Sequence, residues 1–201
     1  MAVSEEVPDE ALASRAALGD NHAFDEITIR YQARVYRLAC RLVGRDDAPD
    51  VVQEGFLSVY RNLASFRHES RFGTWLYRIV TNAALMHRRA RTRRPVESLE
   101  AILPEFDATG RHRHAPAELQ VAARAVELLD RRLLAEEATA ALDRLPDLYR
   151  SAFVLRDLEE LTTAEVADVL GVEPATVRQR VHRARLMLRG YLGALVAGVR
   201  P

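Results

Sequence analysis

Apolar side chains recur at three- and four-residue intervals along most of the chain, the period of helices that bury one face. Phe24, Ile27, Tyr31, Val35, Leu38 and Leu42 predict an amphipathic helix over residues 23–42, and Gly44 stops it. Asp46-Asp47-Ala48-Pro49-Asp50 then reads as a turn whose carboxylates favour the start of the next helix. Val51, Val52, Phe56, Val59, Tyr60 and Leu63 mark the buried face of that second helix, with Asp50, Gln53 and Glu54 on its polar side. Ser65 to Gly73 lacks the helical period and reads as a loop. Thr74 is placed to cap a third helix running to about Arg91, with Leu76, Ile79, Val80 and Ala83 turned inward.

The pattern lapses between Thr92 and Pro116, where Pro95, Pro104, Gly110 and Pro116 interrupt it and Glu97, Glu100, Glu105 and Asp107 make it acidic, which describes a linker. A helical period resumes from Ala117 to Leu145, stops at Pro146, and restarts from Asp147 to about Leu158. Thr162 or Thr163 then caps a short helix over residues 164–170. Gly171-Val172 makes a tight corner, and Pro174 takes the first position of a longer helix behind Glu173. In that last helix Val177, Val181, Ala184 and Leu188 fall at i, i+4, i+7 and i+11, so Arg178, Gln179, His182, Arg183 and Arg185 face the other way. Short helix, glycine corner and basic helix together spell helix-turn-helix. The fold class expected is all-α: two small helical domains, residues 1–94 and 117–201, joined by a flexible linker over 95–116.

Composition narrows the function. Of 201 residues, 48% are hydrophobic and 29% charged, and no apolar run approaches the roughly 18 residues needed to span a bilayer. The start, Met1-Ala2-Val3-Ser4-Glu5-Glu6, lacks a basic-then-apolar signal, so a cytoplasmic protein without membrane insertion is expected. The single Cys40 reads as a small buried hydrophobe. His112 and His114, without cysteine partners, do not make a metal site, and no glycine-rich phosphate loop or Ser/His/Asp arrangement stands out; neither metal, cofactor nor catalysis is expected. Formal net charge is zero, yet arginines crowd 88–94 and 178–189, a distribution that points to polyanion contact.

A helix of the last kind can enter the major groove, where Arg matches guanine and Gln matches adenine, while Thr176, Arg180 and Arg185 are placed to take phosphates. One such helix reads only a few base pairs, so a monomer needs a second DNA-reading surface.

Two stretches carry a resemblance. Asp50-Val51-Val52-Gln53-Glu54-Gly55-Phe56, Ser65-Phe66-Arg67 and Thr74-Trp75-Leu76-Tyr77-Arg78-Ile79 with Asn82 resemble the second conserved region of sigma-70 family factors. Thr176 through Arg185 resembles their fourth-region recognition helix, and the order and short linker resemble the extracytoplasmic-function group. The likeness covers residues 20–94 and 135–192. It implies that Asp50, Gln53 and Glu54 dock on the clamp helices of the largest subunit of core RNA polymerase, with the flap of the second-largest subunit as a further contact. Phe66, Arg67, Phe72, Arg78 and Asn82 would hold opened minus-10 DNA, with Arg88, Arg89 and Arg91 along its backbone. Thr176, Arg178, Gln179, Arg180, His182, Arg183 and Arg185 would read the minus-35 element, and Trp75 would pack in the core. Similar factors are held by anti-sigma proteins, which makes one an expected partner, and their linkers thread toward the polymerase active-site cleft. The stretch between Pro116 and Pro146 is about two helical turns longer than in similar factors. Two other readings fit parts of the chain: a stand-alone helix-turn-helix regulator, which leaves the Asp50 to Phe56 motif unexplained, and a sigma mimic that sequesters an anti-sigma protein, which leaves the arginine clusters unexplained.

Overall fold

The computed structural model describes residues 7–91 and 131–196, all their regular structure being helical. The expected linker, His112, His114 and the first part of the helix expected from Ala117 lie outside the described residues. The first module contains α1 (Asp9–Ala17), α2 (Asn21–Val43), α3 (Ala48–Asn62), a short 3-10 turn (Leu63–Ser65) and α4 (Phe72–Arg91). The second contains α5 (Arg131–Arg144), α6 (Asp147–Phe153) with a π-helical continuation (Val154–Leu158), α7 (Thr163–Leu170) and α8 (Pro174–Val196).

Helix α2 starts where the Asp20 carboxylate accepts from the Ala23 amide and ends at Gly44, whose φ of 87° needs no Cβ in the way. Its stripe is buried as expected, with Ile27, Val35 and Leu38 at 0% exposure and Phe24 half-buried. On α3, Val51 and Val59 are buried, but Tyr60 is 52% exposed, contrary to the expectation from spacing. Its ring meets Phe24 edge-on, at 5.0 Å between centroids, at the margin of the core. Cys40 is half-buried against that core rather than wholly inside it.

Two local features differ from the sequence reading. Helix α1 has no clear period in the sequence, because just three residues, Leu12, Ala13 and Ala16, carry its buried face. Helix α4 begins at Phe72, so Thr74 lies inside it at 4% exposure and caps nothing. The cap comes from α1 instead: Glu10 Oε1 accepts from the Phe72 amide at 3.2 Å. Tyr31 further pins α1 to α2 by donating to Asp9 at 2.5 Å. Gly55 lets α3 lie close on α4, since a Cβ there would meet Val80 Cγ2 at 3.1 Å.

In the second module, Thr162 and Glu165 form a reciprocal capping box that starts α7, and Gly171 ends it in the left-handed conformation at φ 62°. Pro174 opens α8. Val177 and Ala184 are fully buried and Val181 nearly so, which fixes the outward face of α8 as expected. A smaller cluster of Leu145, Tyr149, Ala184 and Met187 ties α8 to the end of α5 and to α6.

The modules are packed on each other: α7 lies against α4, and the π-helical turn lies against α2. One continuous buried cluster crosses from Leu38 and Val80 to Leu155 and Val166.

Candidate nucleic-acid and polymerase surfaces

On α3, Asp50, Gln53 and Glu54 are all exposed and share one side of the helix. Glu54 has a weak tie to Ser58 at 3.3 Å and to Arg61 at 4.0 Å, both exposed, while Gln53 makes no hydrogen bond among the described residues. Leu57 at 42% exposure and Tyr60 at 52% continue the same side. The sequence holds the signal, since they follow Gln53 at i+4 and i+7, but Tyr60 also fits the apolar period of the core face.

The loop before α4 is organised by aromatic rings. Phe66 is half-buried, 5.3 Å from the Trp75 ring, 5.5 Å from Phe72 and 4.5 Å from His68. Phe72 has 0% exposure and meets Tyr31 edge-on at 5.7 Å, so in this structure no face of its ring is open to a base. It holds the loop instead of lining it. Trp75 is half-buried in the same cluster. Ser14 reaches His68 at 3.3 Å, so α1 holds the loop both at its middle and at Phe72, where α4 begins. Arg67 is exposed at its tip.

Along α4, Arg78, Asn82 and Arg89 are exposed at i, i+4 and i+11. Arg88 and Arg91 do not join them so freely. Arg88 pairs with Asp147 of α6 at 2.5 Å and donates to the Leu42 carbonyl at 3.2 Å, whereas exposed Arg91 pairs with Asp47.

On α8, Arg178, Gln179, His182, Arg183 and Arg185 form the exposed face, and Thr176 and Arg180 are half-buried at its edge. Arg185 makes two 2.7 Å bonds to Asp157, and that pairing raises its pKa above the ordinary arginine value. Arg183 donates to the Tyr149 hydroxyl at 3.2 Å. Arg156, which no sequence period singled out, lines a shallow cleft with Arg178, His182 and Arg185, because the π-helical turn swings it beside α8. Among the described residues no group of three or more His, Cys, Asp or Glu side chains gathers as a metal site would require, and no helix is long and apolar enough to cross a membrane.

Between the modules runs a polar seam. Arg150, 1% exposed, donates to the Leu42 carbonyl of α2 at 2.9 Å, to the Leu142 carbonyl at 2.7 Å and to Asp143 at 2.7 Å. Burial lowers its pKa and the nearby Arg88 lowers it further, while Asp143 opposes both. Glu159 meets Arg41 at 2.5 Å and the Tyr77 hydroxyl at 3.3 Å, and Thr74 meets Glu165 at 3.4 Å. Burial first, then the Glu159 charge, pushes the Tyr77 pKa up to about 12.

Residues 27–94 match the family model of Sigma-70 region 2, and residues 135–188 match that of Sigma-70, region 4. An ECF RNA polymerase sigma-E factor of Haemophilus influenzae is 37% identical over 198 residues, covering 96% of this chain and 100% of that protein. The ECF RNA polymerase sigma-E factor of Escherichia coli K12 is 37% identical over 187 residues, covering 91% and 93%. Among solved structures, CnrH in complex with the cytosolic domain of CnrY superposes with a TM-score of 0.62 at 25% identity, covering 96% of this chain and 99% of that one. With both conserved regions present in order and relatives of this identity over nearly its whole length, the chain belongs to the sigma-70 family, as an RNA polymerase sigma factor of the extracytoplasmic-function group.

Proposed function

We propose that this chain binds core RNA polymerase in the cytosol through Asp50, Gln53 and Glu54, and directs it to promoters by reading two DNA elements with two modules. The observation that carries the reading is the placement of two outward basic faces, on α4 and α8, on separate modules, with an acidic and amide face on α3. On the first module, Arg67, Arg78, Asn82 and Arg89 are exposed where an opened minus-10 strand would lie, with half-buried Phe66 beside them. Phe72 serves by fixing the loop, and Arg88 and Arg91 join the backbone contacts once released from Asp147 and Asp47. On the second module, Arg178, Gln179, His182 and Arg183 reach base edges of the minus-35 element, while Thr176, Arg180 and Arg185 position the helix on phosphates. The domains run over residues 1–94 and 117–201, with the flap of the second-largest polymerase subunit as the further docking point.

The polar face of α3 suits a cationic partner, because carboxylates and an exposed amide give complementarity without needing burial. An anti-sigma protein is a second partner class, since CnrH is held by the cytosolic domain of CnrY in the solved complex. The decisive experiment is in vitro transcription with sigma-free core polymerase on a promoter library. A sigma factor starts specific RNA chains. A chain that only blocks transcription is a helix-turn-helix repressor, and one that does neither while capturing an anti-sigma protein is a mimic; each of those outcomes would overturn the reading.

A further inference from the structure

Helix α2 carries a row of arginines that neither DNA-reading face includes. Arg30, Arg34, Arg37 and Arg41 follow one another at i, i+4, i+7 and i+11. At about 100° per residue these four fall within an arc of about 60°, a narrow stripe along the helix. Arg30 is committed locally, to Asp9 at 2.7 Å and to Glu26 and the Val7 carbonyl. Arg34 and Arg37 are exposed and have no acidic partner among the described residues. The charges of both oppose the upward shift of the Tyr77 phenol on α4.

The lower end of the stripe is already occupied by an anion. Glu159 of the second module has its side chain 6% exposed and bonds Arg41 at 2.5 Å, with the Leu158 carbonyl adding a second acceptor at 3.1 Å. The Tyr77 hydroxyl completes the cradle at 3.3 Å. A carboxylate held by a guanidinium and a phenol is what a backbone phosphate would replace. Arg34 to Arg41 spans about 10 Å of helix axis, about three times the 3.4 Å rise per phosphate of one stacked strand.

We propose that Arg34, Arg37 and Arg41 form a phosphate track for single-stranded DNA on the first module, and that Glu159 of the second module fills the Arg41 end of it in the closed arrangement. Nucleic acid and the second module then compete for one site, so loading the strand helps to part the modules. This rests on the reading of the first module as the minus-10 domain.

The test is binding of the full chain to fluorescent oligo(dT), a probe without base preference, by anisotropy across a salt series. Single strands lose about 0.7 in the slope of log affinity against log salt per phosphate neutralised. The double variant R34A/R37A is expected to bind more weakly and to lose about 1.4 in slope, with circular dichroism unchanged because both side chains are exposed. E159Q, which frees Arg41, is expected to bind more tightly and to gain about 0.7. R61A, an exposed arginine on α3 away from the stripe, is expected to keep the wild-type slope. Equal slopes for wild type and R34A/R37A, an R61A loss as large as theirs, or no gain in E159Q would overturn the proposal. So would competition by polyglutamate matching that of oligo(dT) at equal charge, which would assign the stripe to an acidic protein. Absence of oligo(dT) binding with specific initiation intact sinks the track alone; loss of initiation as well sinks the sigma reading beneath it.

Discussion

Replacing Arg150 with Ala tests whether the two modules are one cooperative unit. The guanidinium is 1% exposed and makes three hydrogen bonds, one of them to the Leu42 carbonyl at the end of α2 in the other module. A hydrogen bond to a charged group contributes about 1.5–3 kcal/mol net, but the three are unequal. Asp143 is 52% exposed, so its carboxylate is rehydrated when Arg150 goes and its share is that of a surface pair, under about 1 kcal/mol. Each carbonyl loses a charge-assisted bond without being stranded, since Leu42 keeps Arg88 as a donor at 3.2 Å and Leu142 keeps the Leu145 amide at 3.1 Å. The sum is a loss of about 3–4 kcal/mol, a large part of the 5–15 kcal/mol typical of a domain. Arg150→Met keeps the stem and removes the cost of burying a charge, so it should lose about half as much. The assay is urea unfolding followed by far-UV circular dichroism and by Trp75, the single tryptophan, which sits in the first module. The two probes should coincide in the wild type and separate in Arg150→Ala, with the second module melting first. An Arg150→Ala midpoint within about 0.5 kcal/mol of wild type, or coincident probes in the variant, would refute the reasoning.

Three further outcomes are expected. Gln53→Ala should weaken core polymerase binding about 5- to 30-fold, the range of a 1–2 kcal/mol contact, while the melting temperature stays put, because the side chain is exposed and makes no hydrogen bond among the described residues; pull-down and thermal unfolding on one preparation check both halves. Asn82→Ala should lower permanganate reactivity of promoter thymines while sparing core binding, and equal reactivity would count against a base-capturing role. Bonds from the Thr162 amide and hydroxyl hold the Glu165 pKa below its ordinary 4.5, so its stabilising contribution is complete above that value and fades as pH falls through the lower folded one. Glu165→Gln should therefore flatten the acid limb of a stability-pH profile, and an unchanged limb would show that the capping box carries no such linkage.

The helix-turn-helix was legible because each device that defines it is local: the Thr162 cap, the Gly171 corner and the Pro174 start need no distant partner. The inward stripes of α2 and α8 were legible for a similar reason, a period of 3.6 repeated over several turns. What escaped depends on distant contacts. Helix α1 is too short for its period to stand out, and the Glu10 cap on Phe72 joins residues far apart in sequence, so Thr74 looked like the cap. Phe72 looked like a base-stacking ring because loop aromatics often are, yet Tyr31 and Trp75 enclose it. Tyr60 obeyed the helical period and still faces outward, since the core beneath it ends at Phe24. Sequence spacing sets the direction in which a side chain points, not what waits there.

The seam itself defines the functional problem of the molecule. Promoter elements named for positions minus 35 and minus 10 lie 25 steps apart, about 85 Å along B-form DNA at 3.4 Å per step. Modules joined by bonds of 2.5 to 3.4 Å cannot hold both elements at once. On the proposed reading they must separate, and the proposed linker, residues 95–116, would reach about 75 Å if fully extended. The groups that hold the seam are matched to that task. Arg88, on the helix proposed to hold the opened strand, is tied to Asp147, and Arg41 is tied to Glu159, so both basic partners are satisfied by carboxylates until phosphates are offered. At these pairs opening exchanges one set of charge-assisted bonds for another rather than stranding charges, which lowers the cost of parting the apolar seam. Polymerase and promoter need supply only their differential affinity for the open form to select it.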